Sequence, residues 1–161
     1  DHLTGLMNRR AFENEMRIEA DRIMQHNNKS CFLILDIDNF KSINDKFGHP
    51  VGDSFLKQFA IFLEKQVGTL GHISRIGGEE FAILLKDVDL HKGQAIGEGI
   101  RSDTEKEVFT VNKYRITITA SIGITLINQE VNSFDACYKR ADRALYKAKA
   151  KGKNRVEIEY G

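Results

Sequence analysis

Five consecutive apolar residues, Cys31-Phe32-Leu33-Ile34-Leu35, run straight into Asp36-Ile37-Asp38. A short, uninterrupted apolar run reads as a strand buried on both faces, so it belongs at the centre of a sheet and not at its edge. A sheet centre has to be covered from both sides, which commits the chain to a layered fold. It also sets a chemical problem at the end of that strand, because buried carboxylates are costly unless they are paired or bound to a cation.

The rest of the chain supplies the covering layers. A first helix starts near Asn8, an acceptable N-cap, and runs to about Met24, with an imperfect apolar face of Ala11, Phe12, Met16, Ile18, Ile23 and Met24. A second helix follows Gly52: Phe55, Leu56, Phe59, Phe62 and Leu63 recur at helical spacing and Gly68 stops it. His72–Ile76 and Phe81–Leu85 read as two strands joined around Gly77-Gly78, a pair that supports a tight hairpin turn. A third helix covers about Lys92 to Lys106. From Tyr114 to Ile124 apolar and polar residues alternate, the pattern of a strand with one buried face. Phe134, Cys137, Tyr138, Ala141, Ala144, Leu145 and Ala148 mark a last helix ended by Gly152, and Arg155–Ile158 forms a closing strand. The expected fold is α/β: a mixed sheet of about five strands flanked by helices on both faces, mixed because one connection is a hairpin.

With 161 residues, no repeat and no linker-like stretch, residues 1–161 read as one domain. The chain opens on Asp1 without an initiating Met, so the expectation is a catalytic piece of a longer protein. A net charge of +1 provides no global field for nucleic acid or an anionic membrane. No apolar run approaches the roughly 20 residues that span a bilayer. The segment is therefore expected to touch neither nucleic acid nor membrane and to work in the cytoplasm, with membrane attachment left to a parent protein. Cys31 and Cys137 both lie among apolar neighbours and are read as buried thiols.

Two acidic sites carry the candidate chemistry: Asp36 with Asp38 at the strand end, and Glu79 with Glu80 beside the hairpin turn. If the hairpin packs against the first strand, Asp36 faces Glu79 or Glu80 across the ladder. Magnesium takes one or two carboxylates and fills its remaining positions with water and phosphate, so such a pair suits phosphoryl or nucleotidyl transfer. On spacing alone, a metal seat and a solvated turn both remain open. Asn39-Phe40-Lys41 offers backbone donors and an ammonium to a phosphate. Asn44 and Asp53 have the donors and acceptors to read a base. Lys147, Lys149, Lys151 and Lys153 crowd the end of the last helix, either as phosphate ligands or as a solvated turn favoured by the helix dipole.

Several segments, in order, resemble one family. Asp1-His2-Leu3-Thr4-Gly5-Leu6-Met7-Asn8-Arg9-Arg10 is similar to the opening signature of the GGDEF domain of diguanylate cyclases. Leu35 to Asp53 resembles its substrate segment, and Arg75-Ile76-Gly77-Gly78-Glu79-Glu80-Phe81 resembles its name-giving hairpin in a Gly-Gly-Glu-Glu-Phe form. Ala120-Ser121-Ile122-Gly123, the stretch Ala141 to Lys149, and Gly152-Lys153-Asn154 complete the likeness. The resemblance implies condensation of two GTP molecules into cyclic di-GMP with loss of two pyrophosphates, at the meeting of two copies of the domain. It implies a magnesium cofactor, with manganese as a substitute. Asp36, the carbonyl of Ile37, Glu79 and Glu80 would hold the metal, Glu79 also accepting a proton and Lys41 stabilising transition-state charge. Asn39, Phe40, Lys41, Lys149 and Lys153 would meet phosphates, Asn44 and Asp53 guanine, and His49 would lie near the nucleotide. Asp38 is expected to be a turn or supporting carboxylate. One departure stands out: many members carry Arg-x-x-Asp ahead of the hairpin as a product-binding inhibitory site, and the matching positions here are Gly68 and Gly71. The alternative to an active cyclase is a silent module of the same fold that binds GTP or cyclic di-GMP. A nucleic-acid-binding use of Lys139–Arg155 is weaker, because aromatic residues are scarce among those charges.

Overall fold

The computed structural model describes residues 1–160. Helix α1 (Arg9–His26) is capped by Asn8, whose side chain accepts from the Ala11 amide, and it leads to strand β1 (Ser30–Ile37), in which every residue is buried. Two helices, α2 (Phe40–Phe47) and α3 (His49–Val67), precede the hairpin of β2 (Gly71–Gly77) and β3 (Glu80–Leu85). Helix α4 (Leu90–Lys106), a small hairpin of β4 (Phe109–Val111) and β5 (Tyr114–Ile116), strand β6 (Ala120–Ile127), helix α5 (Phe134–Ala150) and strand β7 (Val156–Glu159) follow.

The main sheet has five strands in the order β2-β3-β1-β6-β7, which puts β1 at its centre as the apolar run demands. It is mixed, though by a different route from the one expected. The hairpin and both neighbours of β1 are antiparallel, and only the edge pair β6–β7 is parallel. Alternate residues of β1 feed two cores. Leu33, Leu35 and Ile37 join α3, α4 and the small hairpin on one face; Phe32 and Ile34 join α1 and α5 on the other. Asp36 has the parity of Ile34, so it faces the α1/α5 layer.

Two expectations need correction. The second helix does not begin after Gly52: α3 starts at His49 and encloses Gly52, and a separate helix, α2, precedes it. Phe40 and Ile43 supply α2 with a buried side that its polar residues disguise, and Gly48, at φ 91°, makes the corner between the two helices. Asn44 therefore sits on α2 and Asp53 on α3. The alternating stretch Tyr114–Ile124 is likewise two strands. The chain leaves the pattern at Thr117–Thr119, β5 pairs with β4, and β6 is buried on both faces.

Candidate active site

β1 carries Asp36 to the rim of the sheet while leaving it 7% exposed. The hairpin brings Glu80 directly opposite, since Asp36 and Glu80 are partners across the β1–β3 ladder. Beside them the Ile37 amide donates to the Glu79 carbonyl at 3.2 Å, which ties the turn to the end of β1. Arg75 holds the turn from the other side: its Nε donates to the Gly78 carbonyl at 2.8 Å and its Nη1 lies 3.4 Å from the Asp1 carboxylate.

α5 completes the acid pair. Lys149 places its ammonium on Asp36, and Tyr138 donates its hydroxyl to Glu80 Oε1 at 2.6 Å. Burial pushes the Asp36 carboxyl above the usual range. The Lys149 hydrogen bond and charge oppose that shift, while Glu79 and Asp38 add to it. Glu80 is raised as well, first by burial; Tyr138 works against the shift and Asp36 with it. Burial alone would lower Lys149, but its bond to Asp36 and the charges of Asp36 and Glu80 hold it above an ordinary lysine.

Asp38 serves the architecture. It is 5% exposed and accepts from the Thr119 and Ser121 hydroxyls at 2.7 Å each and from the Asn154 amide at 3.0 Å. Asn154 is clamped further by Arg101 at 2.8 Å and Glu105 at 2.6 Å. This fixes a turn in which Lys153 and Asn154 both take positive φ, and from it Lys153 Nζ reaches Asn39 Oδ1 at 2.8 Å. Lys153 and Asn39 thus meet across the mouth of the site.

Asn39 turns at φ 58° to start α2; the Ser42 amide donates back to the Asn39 carbonyl at 2.9 Å, and the amides of Phe40 and Lys41, ahead of any intrahelical acceptor, suit an anion. Lys41 is exposed on that first turn, whereas the Phe40 side chain is buried in the core, leaving Phe40 only its backbone to offer. Asn44 lies against Gly52: a Cβ on Gly52 would come within 1.9 Å of Asn44 Oδ1. Asp53 is the next residue on α3 and is exposed, as is His49 at the start of that helix.

The donors around Asp36 are all oxygen, and a cation already occupies the carboxylate in the form of Lys149. Among the described residues no three acidic, histidine or cysteine side chains converge into a closed cage. An open seat with one or two carboxylates suits magnesium, which keeps its other positions for water and phosphate. Asp36 and Glu80, opposed across the β1–β3 ladder, are the two carboxylates that suit such a seat. The sequence reading overlooked Tyr138 and Asn154 as parts of the site. Tyr138 was legible from spacing, since it lies eleven residues, close to three full turns, before Lys149 on the same helix face. At the position of the family's inhibitory Asp, a Cβ on Gly71 would meet the Leu84 carbonyl at 1.6 Å. No side chain fits there while β2 stays paired with β3.

Residues 1–155 match the sequence profile described as diguanylate cyclase, GGDEF domain. The probable diguanylate cyclase DgcT of Escherichia coli strain K12 is 36% identical over 160 residues, 98% of this chain and 35% of that protein. Response regulator PleD of Caulobacter vibrioides is 39% identical over 158 residues, 97% of this chain and 35% of that protein. The chain thus spans about a third of the length of these curated relatives. Among solved structures, the GGDEF domain of DgcB from Caulobacter crescentus in complex with c-di-GMP superposes with a TM-score of 0.91 at 30% identity, covering 100% of this chain and 93% of that one.

Proposed function

Since the chain belongs to the diguanylate cyclase GGDEF domain family, we propose that it condenses two GTP molecules into cyclic di-GMP, one GTP held by each of two copies. Residues 1–161 are read as one catalytic unit working in the cytoplasm, where GTP is supplied. The observation that carries the reading is the pairing of Asp36 with Glu80 across β1 and β3 under a lysine from α5.

In this reading Asp53 accepts from the guanine N1–H and exocyclic amine, and Asn44 meets the same base from α2. The first amides of α2, with Lys41, Lys149 and Lys153, neutralise the triphosphate. His49 flanks the nucleotide from the start of α3. The 3′-hydroxyl oxygen of one GTP forms a bond to the α-phosphorus of the other while the bond from that phosphorus to the bridging oxygen breaks. This happens twice, and two pyrophosphates leave. Glu79 takes the hydroxyl proton, and Lys41 steadies the charge that builds on the α-phosphate. Magnesium, or manganese in its place, would be held by Asp36, the Ile37 carbonyl, Glu79 and Glu80, and would supply charge neutralisation and a more acidic hydroxyl.

The test is incubation with GTP and magnesium followed by mass analysis of the products. Cyclic di-GMP and pyrophosphate in a 1:2 ratio, absent with Asp36→Asn, support the reading. Nucleotide binding without any product overturns it.

A further inference from the structure

We propose that Tyr138 is a positioning residue for Glu80: its hydroxyl occupies Oε1 and leaves Oε2 to face the cation seat. The inference rests on the cyclase reading above and concerns a residue that reading does not use.

Glu80 reaches the site on a side chain with three rotatable bonds, and ordering such a chain costs up to about 2 kcal/mol. Its sequence neighbours do nothing to hold it. The charged groups that face it are Asp36, Asp142 and Lys149; the two acids repel its carboxylate and the lysine is committed to Asp36. Among the described residues, the one hydrogen bond that fixes the carboxylate comes from Tyr138, at 2.6 Å.

Tyr138 is itself held by packing. Its ring stacks on Phe134 with centroids 5.9 Å apart and planes 25° apart, and Phe134 is gripped edge-on by Phe12 and Phe32. Arg9 lies over the Phe134 ring, 4.6 Å from its centroid. A tyrosine on such a base has only two side-chain torsions to fix, so its hydroxyl is a rigid reference point for a flexible carboxylate. α5 therefore governs both members of the acid pair, Asp36 through Lys149 and Glu80 through Tyr138, from points three turns apart. Groups that orient a metal ligand in this way are typically worth 10- to 100-fold in metal affinity.

The experiment measures Mn2+ binding by electron paramagnetic resonance in the presence of 3′-deoxy-GTP, which cannot close the ring, for the wild-type chain, Tyr138→Phe, Glu80→Gln and the double variant. Tyr138→Phe removes only the hydroxyl and keeps the stacked ring, and its melting temperature without ligand reports whether the fold is intact. The expected result is Mn2+ affinity weakened about tenfold by Tyr138→Phe, with no further loss when it is added to Glu80→Gln. The proposal is overturned if Tyr138→Phe binds Mn2+ within twofold of wild type. It is also overturned if the two substitutions add independently, because Tyr138 would then act on something other than Glu80. Should Tyr138→Phe fail to fold, the wild-type carboxylate of Glu80, labelled with carbon-13, must show a single ordered environment; free rotation overturns the proposal. A wild-type chain that makes no cyclic di-GMP marks the failure of the cyclase reading instead, and product formation by wild type separates the two.

Discussion

Gly52 shows how a residue with no side chain can decide what a pocket reads. With Asn44 Oδ1 only 1.9 Å from where a Cβ would stand, a methyl group at this position must drive Asn44 out of place. Gly52→Ala should therefore reproduce Asn44→Ala, each raising KM for GTP about tenfold with a smaller change in kcat, since a polar edge left unpaired costs about 1–3 kcal/mol. Asp53→Ser should do something different, narrowing the GTP/ATP ratio of kcat/KM more than Asn44→Ala does. An ionised carboxylate accepts from guanine but repels the N1 lone pair of adenine. Steady-state kinetics of the variants with both nucleotides decides this, and an unchanged ratio in Asp53→Ser removes Asp53 from base recognition. Glu80 gives a prediction of another kind. Its folded carboxyl lies above its unfolded value, so the stability it contributes is full below the unfolded value and is lost as pH rises through the folded one. At neutral pH the ionised group thus opposes folding. Glu80→Gln should abolish product formation while raising the melting temperature by a few degrees, the scale of about 1 kcal/mol in a chain of this size. That gain should vanish as the pH falls into the ordinary carboxylate range, which calorimetry at two pH values can check.

Neighbouring parts of one element can carry opposite burdens, as the end of β1 does. Asp36 is paired with a partly exposed lysine, whereas Asp38 satisfies Thr119, Ser121 and the Asn154 amide. Asp38→Ala leaves those donors unpaired and should cost about 2–4 kcal/mol by denaturant unfolding, while Asp36→Asn stays near wild type. Equal losses would mean the two acids are not divided in this way. β1 itself was legible because an unbroken apolar run has few other places to go, and α5 because its apolar residues keep strict helical spacing. α2 was not, since its eight residues are dominated by Lys41, Ser42, Asn44, Asp45 and Lys46, and its apolar side of Phe40, Ile43 and Phe47 spans barely two turns. The break between β5 and β6 was hidden for a related reason. Alternation continues through Thr117–Thr119, while β5 pairs with β4 and β6 with β1, a change of partner that no local pattern records. In the site, the opposition of Asp36 and Glu80 could be foreseen from strand parity. The grip of Asn154 on the lysine-bearing turn could not, because its partners Arg101 and Glu105 lie about fifty residues away.

At the scale of the whole molecule, Asp36 and Asn39, the residue that starts α2, follow one another at the end of β1, and in the proposed reaction a single copy holds one nucleotide and needs a second copy to bring the other. Specific activity should therefore rise with protein concentration, and a coiled coil fused ahead of Asp1 should raise it further at fixed dilution. A specific activity that stays high and constant over a hundredfold dilution would contradict the half-site reading. The Lys149–Asp36 pair carries one more consequence, which concerns the solvent ions around the protein more than the chemistry within it. Because the carboxylate already has its cation, loading the site in the proposed reaction would be an exchange of counter-ions, the lysine becoming free for a phosphate where Asp36 holds a metal ion instead. The number of neutralised charges then changes little, few small ions are released to solvent, and nucleotide affinity should fall only weakly as salt is raised, unlike that of a bare cluster of lysines.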